Sequence, residues 1–248
     1  MTLAVGIDIG GTGIKGALVD LGTGALVSER VKRPTPPGGA PDAIVAQTVE
    51  ILAELDAPAE APVGVCFPAI VLEGRTMSAA NVSEQWIGLE AEQLFEAELG
   101  RSIHFVNDAD AAGVAEARYG AAAGQPGLTI LTTLGTGIGS AFLFDGTLIP
   151  NTELGHLVLD GDDVEHWASN GVRERQELTF EAWAQRLQRF YAHVEFLFSP
   201  QLLVVGGGVS KHHEQFLPLL RLRTPIVPAT LRNNAGIMGA AALAHRPL

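Results

Sequence analysis

The chain has 248 residues, 47% of them apolar and 18% charged, with a formal net charge of -12. This is the composition of a folded globular protein with one or two cores, and it excludes a disordered chain. The acidic balance argues against nucleic acid or an anionic membrane as partner, and no apolar run reaches the roughly 20 residues of a bilayer span.

"LAVGIDIG", "IKGALVDL" and "ALVSERVKR" predict three strands joined by Gly-rich turns. Asp42 to Leu55 carries apolar residues at helical spacing, "PVGVCFP" predicts a short buried strand, and "LEAEQLFEAELG" predicts a helix stopped by Gly100. "SIHFV" is a strand that ends at Asn107-Asp108, with the helix "ADAAGVAEARYG" after it. A second hairpin is expected over residues 128 to 149, and the longest helix over Leu178 to Phe198. "QLLVVGGG" is a strand running into a Gly turn, and the small-residue stretch "NAGIMGAAALA" is the closing helix. Strands alternating with helices predict an α/β protein. Cys66 is the single cysteine, which excludes an intrachain disulfide and a cysteine-rich zinc site. The start lacks a basic leader segment, so the expected location is cytoplasmic.

One tetrapeptide, GTGI, occurs twice, at Gly11–Ile14 and, half a chain length later, at Gly135–Ile138. Each copy follows an apolar run and precedes another, which argues for two related halves. The first copy, "GTGIKG", also fits G-x-G-x-x-G, but strand-like residues follow it where a dinucleotide fingerprint needs a helix. Neither copy is a P-loop. Taken singly, each is an ordinary hairpin turn, with glycine supplying positive φ. Taken together, with Thr12 and Thr136 at matching places, they suit two phosphate grips of bare backbone N–H groups and a hydroxyl. Asp8, at a strand end, suits Mg²⁺ or one of its waters.

"DIGGTGIK" and "LGTGIGS" resemble the first and second phosphate motifs of the actin-like sugar kinases, and "VVGGGVS" resembles their adenosine segment. The set is similar to the ROK sugar kinases. "NDADAAG", "GTLIPNTELGH" and "IVPATLRNNAGIMGAA" bring it nearest to the family's polyphosphate-using glucokinase branch. The resemblance implies an actin-like (ribonuclease H-like), duplicated two-domain α/β fold. The boundary is expected near Asp108, giving domains 1–107 and 108–234, with a final helix at about 235–248 that returns to the first. It implies a cytoplasmic homodimer that phosphorylates the 6-hydroxyl of glucose from inorganic polyphosphate, ATP or both, with Mg²⁺. Asp108 matches the general base. Asn107, Asp108, Glu153, His156, Glu165 and Pro68 match sugar-site positions. Donor phosphates fall to Asp8, Gly10, Gly11, Thr12, Gly13, Lys15, Gly135, Thr136, Gly137, Gly207 and Gly208. By themselves, Asn107-Asp108 also read as a strand end that caps the next helix, and Trp86 reads as cleft shield or core.

Most ROK kinases have a cysteine-rich zinc motif after the His of "ELGH"; here "LVLDGDDV" stands in its place, so the loop is expected to be held without metal. Between Arg173 and Arg232 there are eight Arg or Lys against five Glu, a locally basic stretch. Arg173, Arg175, Lys211 and Arg232 are the candidate track for a polyphosphate chain, although any one of them also reads as a solvated surface charge. The rival readings are an ATP-only ROK kinase for mannose, fructose or an N-acetyl sugar, and a sugar-responsive repressor. The repressor would need a DNA-binding domain where only seven residues precede Asp8.

Overall fold

The computed structural model describes residues 2–245. In chain order the strands and helices are β1 (Leu3–Ile9), β2 (Gly13–Asp20), β3 (Val31–Pro34), α1 (Pro41–Leu55), β4 (Val63–Phe67), β5 (Val71–Leu72), β6 (Arg75–Thr76), α2 (Ala91–Leu99), β7 (His104–Asn107) and α3 (Asp108–Tyr119). They continue with β8 (Leu128–Leu134), β9 (Ile138–Phe144), β10 (Thr147–Ile149), β11 (Val158–Leu159), β12 (Asp162–Asp163), α4 (Glu165–Ala168), α5 (Asn170–Arg175), α6 (Phe180–Phe198), β13 (Leu202–Gly206), β14 (Ile226–Pro228) and α7 (Ala235–His245). Residues 246–248 of the expected final helix lie outside the described residues.

The chain forms two compact units. One runs to Ala115 and takes in the chain again from Asn234; the other is Glu116–Asn233. The division thus falls within α3, which begins at Asp108.

The first unit is built on a sheet of order β3-β2-β1-β4-β7, antiparallel through β3, β2 and β1 and parallel through β1, β4 and β7. The second is built on β10-β9-β8-β13-β14 with the same sequence of antiparallel and parallel pairs. The duplication suggested by the repeated tetrapeptide is therefore a duplication of a whole sheet.

In the first unit, Ile7, Ile9, Ile14, Ile44 and Ile51 are fully buried on the α1 side. The other sheet face receives α7, and here backbone meets backbone. A Cβ on Gly6 would lie 1.8 Å from the Ile237 carbonyl oxygen, and one on Gly64 would lie 1.9 Å from that of Ala240. Only glycine allows that approach, which explains a helix made of small residues. In the second unit, α6 lays Trp183, Leu187, Phe190, Tyr191 and Val194 into the core. Thr179 caps α6 by accepting a hydrogen bond from the Ala182 N–H at 3.2 Å.

The third strand is shorter than its pattern predicts. Val27 N still donates to the Leu18 carbonyl, but the Leu18 N–H donates to Ser28 Oγ at 3.0 Å, so a side chain replaces a ladder bond. Regular pairing resumes only at Val31. Trp86 is core: it is fully buried, 4.4 Å from the Phe67 ring, and donates its Nε1–H to the Gly39 carbonyl at 2.8 Å.

Candidate active site

Three parallel strands of the first unit end side by side. The register pairs Asp8 with Cys66, Cys66 with Val106 and Phe67 with Asn107, so Asp8, Pro68 and Asn107-Asp108 gather at one carboxyl edge of the sheet. In open α/β sheets that edge is where ligands bind. Lys15 faces Asp8 across the hairpin and donates to its Oδ2 at 2.8 Å. Burial pushes the Cys66 thiol well up, and the nearby carboxylates of Asp8 and Asp108 push it further while Lys15 opposes them. One buried atom thus feels all three charged groups.

Asp108 is half-buried at the start of α3. Its predecessor has a second task. Asn107 Oδ1 accepts from Ala109 N at 2.8 Å and Asp110 N at 3.0 Å, and one Nδ2 hydrogen goes to the Ala69 carbonyl at 3.0 Å. Asn107 therefore caps α3, and the second Nδ2 hydrogen is what remains for a ligand. Pro68 is buried, and its carbonyl accepts from Ala80 N.

The two glycine turns are related but not identical. Ile9 pairs with Ile14, leaving Gly10–Gly13 as a four-residue turn; Leu134 pairs with Ile138, leaving the three residues Gly135–Gly137. Gly10 N donates to the Gly13 carbonyl in the first turn, and Gly135 N to the Gly137 carbonyl in the second. Thr12 and Thr136 are exposed. None of Gly10, Gly11, Gly13, Gly135 and Gly137 has a positive φ, so left-handed backbone is not why glycine stands there. Protein neighbours supply a reason at two of them. A Cβ on Gly11 would lie 2.6 Å from Asn81 Cβ, and one on Gly137 would lie 2.4 Å from Glu165 Oε2. A branched side chain at either place displaces a neighbouring group as well as blocking a ligand.

Around the second turn the other expected residues converge. Glu165, at the start of α4, accepts from Ile138 N at 3.2 Å. Burial pushes the Glu153 carboxyl up, His156 draws it back, and Glu165 adds to the rise. His156 pairs with Asp163 at 3.0 Å and is more than half exposed. Gly207, with φ +82°, follows β13 so tightly against β8 that a Cβ would meet the Leu134 carbonyl oxygen at 2.4 Å. Gly207 and Gly208 thus sit beside the second turn, since Gly206 is in register with Thr133. The loop that stands in place of a zinc motif is the β11–β12 hairpin, joined to α6 by an Asp160–Arg189 ion pair.

The basic stretch divides. Arg173 is a packing residue: its guanidinium lies 4.6 Å from the Phe180 ring centroid and 5.9 Å from that of Trp183, and it donates to Asn170 at 2.8 Å. Its Nε and Nη2 and one face of the guanidinium are thus engaged within the fold, Nη2 reaching Glu174 at 3.4 Å, so it is a weaker candidate for the track than Arg175. Arg175 is exposed, and its Nη1 would lie 3.2 Å from a Cβ on Gly171, the residue whose N–H holds the Gly135 carbonyl. Lys211 and Arg232 are also exposed. Sequence reasoning missed Asn81, which touches the first turn, and Thr35, whose hydroxyl donates to the Gly10 carbonyl. Neither carries a motif; contact with the turn is their only signal. Among the described residues, no three His, Cys, Asp or Glu side chains form a metal cage, and no helix is long and apolar enough to cross a membrane.

Residues 4–173 match the model of the ROK family. The chain is 46% identical to a polyphosphate glucokinase of Mycobacterium tuberculosis over 237 residues, covering 95% of this chain and 89% of that protein. Among solved structures, it is similar to an inorganic polyphosphate/ATP-glucomannokinase from Arthrobacter sp. strain KM, with 54% identity, a TM-score of 0.94 and 99% of each chain covered. It is also similar to a ROK family glucokinase from Streptomyces griseus in complex with glucose and AMPPNP, with 25% identity, a TM-score of 0.82 and coverage of 98% and 99%. The duplicated sheets are those of the actin-like sugar-kinase fold, and this chain belongs to the ROK family.

Proposed function

We propose that this protein is a glucokinase that transfers a phosphoryl group from inorganic polyphosphate or ATP to the 6-hydroxyl of glucose. The observation that carries the reading is the sheet register that brings Asp108 to the same carboxyl edge as Asp8 and Lys15. Phosphoryl transfer asks a protein mainly for positioning and charge neutralisation, plus a carboxylate for the hydroxyl's proton. Asp108 takes that proton as the 6-oxygen bonds to phosphorus and the donor's bridging P–O bond breaks. Asn107 fixes Asp108 through its cap and offers its second Nδ2 hydrogen to the sugar. Glu153 and Glu165 accept from sugar hydroxyls, and His156 supplies a further polar partner. The glycine turns, with Thr12 and Thr136, hold donor phosphates through backbone N–H groups and hydroxyls, and Gly207 and Gly208 adjoin the second turn.

Mg²⁺ fits beside Asp8. The carboxylate gives Oδ2 to Lys15, and its Oδ1 makes no hydrogen bond among the described residues. A single protein oxygen suits an ion that keeps its waters and completes its shell with substrate phosphates. When bound, it would neutralise charge on the donor. The protein is proposed to act as a cytoplasmic homodimer.

The relative acting on polyphosphate and ATP is a glucomannokinase, which supports a second reading in which mannose is also accepted. The test is product formation from glucose and from mannose, each with polyphosphate and with ATP. Glucose 6-phosphate from polyphosphate is the expected result. Turnover with ATP alone would give first place to the ATP-only kinase.

A further inference from the structure

We propose that Lys32, on the edge strand β3, is the cation that meets the donor's phosphates at the first glycine turn. The inference rests on the kinase reading above and adds a residue to it. In the register, Lys32 stands directly opposite Lys15, and Lys15 directly opposite Asp8, so the three side chains share one face in a row. The charge of Lys15 is compensated by Asp8 at 2.8 Å. Lys32 is exposed and has no acidic partner among the described residues, whereas its neighbour Arg33 is paired with Glu54. The Lys32 stem leans on the turn itself: its Cε would lie 3.5 Å from a Cβ on Gly13.

The same short segment braces that turn. Thr35 donates its hydroxyl to the Gly10 carbonyl and its N–H to the Thr12 carbonyl at 3.4 Å. Among the described residues, the second turn has no such strand beside it. There the third strand, β10, pairs with Phe142–Phe144, at the far end of β9 from Gly135–Gly137. The duplicated sheet therefore keeps its strand order but moves its third strand, and only the first turn gains a lysine from it. Among the protein's own charges in this row, Lys15 and Asp8 offset each other and Lys32 is the one left for a polyanion.

An exposed edge strand also favours lysine simply to prevent sheet-to-sheet pairing, and the experiment separates the two roles. Lys32→Ala and Lys32→Gln are compared with the unaltered protein for KM of polyphosphate and ATP, KM of glucose, kcat, and the Kd for tripolyphosphate by calorimetry. We expect donor KM and tripolyphosphate Kd to rise on the order of tenfold, the scale of one charge-assisted contact. Glucose KM should stay unchanged. The slope of log KM for polyphosphate against log salt should fall by somewhat less than one, as for one lost phosphate contact. Lys32→Arg should restore most of the affinity. Unchanged donor affinity and salt slope in folded, monodisperse Lys32→Gln protein would overturn the proposal and leave edge protection as the role. If the unaltered protein forms no glucose 6-phosphate from either donor, the kinase reading fails instead, whatever Lys32 does.

Discussion

Glu165 lies so close to Gly137 that a Cβ on the glycine would sit 2.4 Å from its Oε2, while the carboxylate accepts the Ile138 N–H at 3.2 Å. A residue expected to bind sugar thus braces a turn expected to bind phosphate. Gly137→Ala should therefore raise KM for glucose as well as for the donor, several-fold each, because the new methyl pushes Glu165 aside. Kinetics with each substrate varied in turn measure this. A variant with altered donor KM and normal glucose KM would show that Glu165 moves without consequence for the sugar.

Asp108→Asn keeps the shape and removes the proton acceptor. We expect kcat to fall by at least ~10²-fold, the scale of a positioned general base. Glucose binding, followed by calorimetry, should survive, since the Asn107 cap is untouched. Near-normal kcat would reduce Asp108 to the first residue of a helix.

Glu153 carries a pH signature. Burial, first, raises its pKa above a glutamate's ordinary value, His156 pulls it back and Glu165 adds to the rise. The ionised form is the acceptor of sugar hydroxyls. KM for glucose should accordingly rise as pH falls through that raised pKa, starting at a pH above where an ordinary glutamate would act. The sign for stability is opposite: a carboxyl with a raised folded-state pKa favours the folded state below its unfolded pKa, and this is lost as pH rises through the folded one. Glu165→Gln removes an acidic neighbour and should move the inflection of the pH–KM profile to lower pH. An inflection that does not move would place Glu165 out of electrostatic reach of Glu153.

Arg173 and Arg175 stand two residues apart and should behave differently. Arg175→Ala should raise KM for long polyphosphate more than for ATP, steeply so at low salt, because contacts along a polyanion release counterions. Arg173→Ala should act on stability: loss of its stack on Phe180 and Trp183 and of the bond to Asn170 is worth about 1–2 kcal/mol. That corresponds to a Tm lower by roughly 2–8 °C. Thermal unfolding and donor kinetics on both variants check the split. Equal kinetic defects would keep Arg173 on the donor track.

The duplication, the two hairpins, the order of the motifs and the small-residue helix were legible in the residues because each is local. A glycine turn between apolar runs specifies a hairpin within a dozen residues, and Asn107-Asp108 at a strand end specifies both a cap and a carboxylate at the sheet edge. Tertiary structure decided what distant segments bring to those turns. Nothing in the periodicity of "ALVSERVKR" says that Ser28 interrupts the strand, or that Lys32 and Thr35 then run beside the first turn. Arg173 looks like any surface arginine until α6 carries Phe180 and Trp183 beneath it. Trp86 reads equally as cleft shield or core until Phe67 and Phe95 enclose it. Gly11 and Gly137 look chosen for a ligand until Asn81 and Glu165 come into contact with them. The reason is the same in each case: spacing along the chain encodes which face a side chain occupies, whereas its partner on that face is supplied by another element, fixed only when the layers pack.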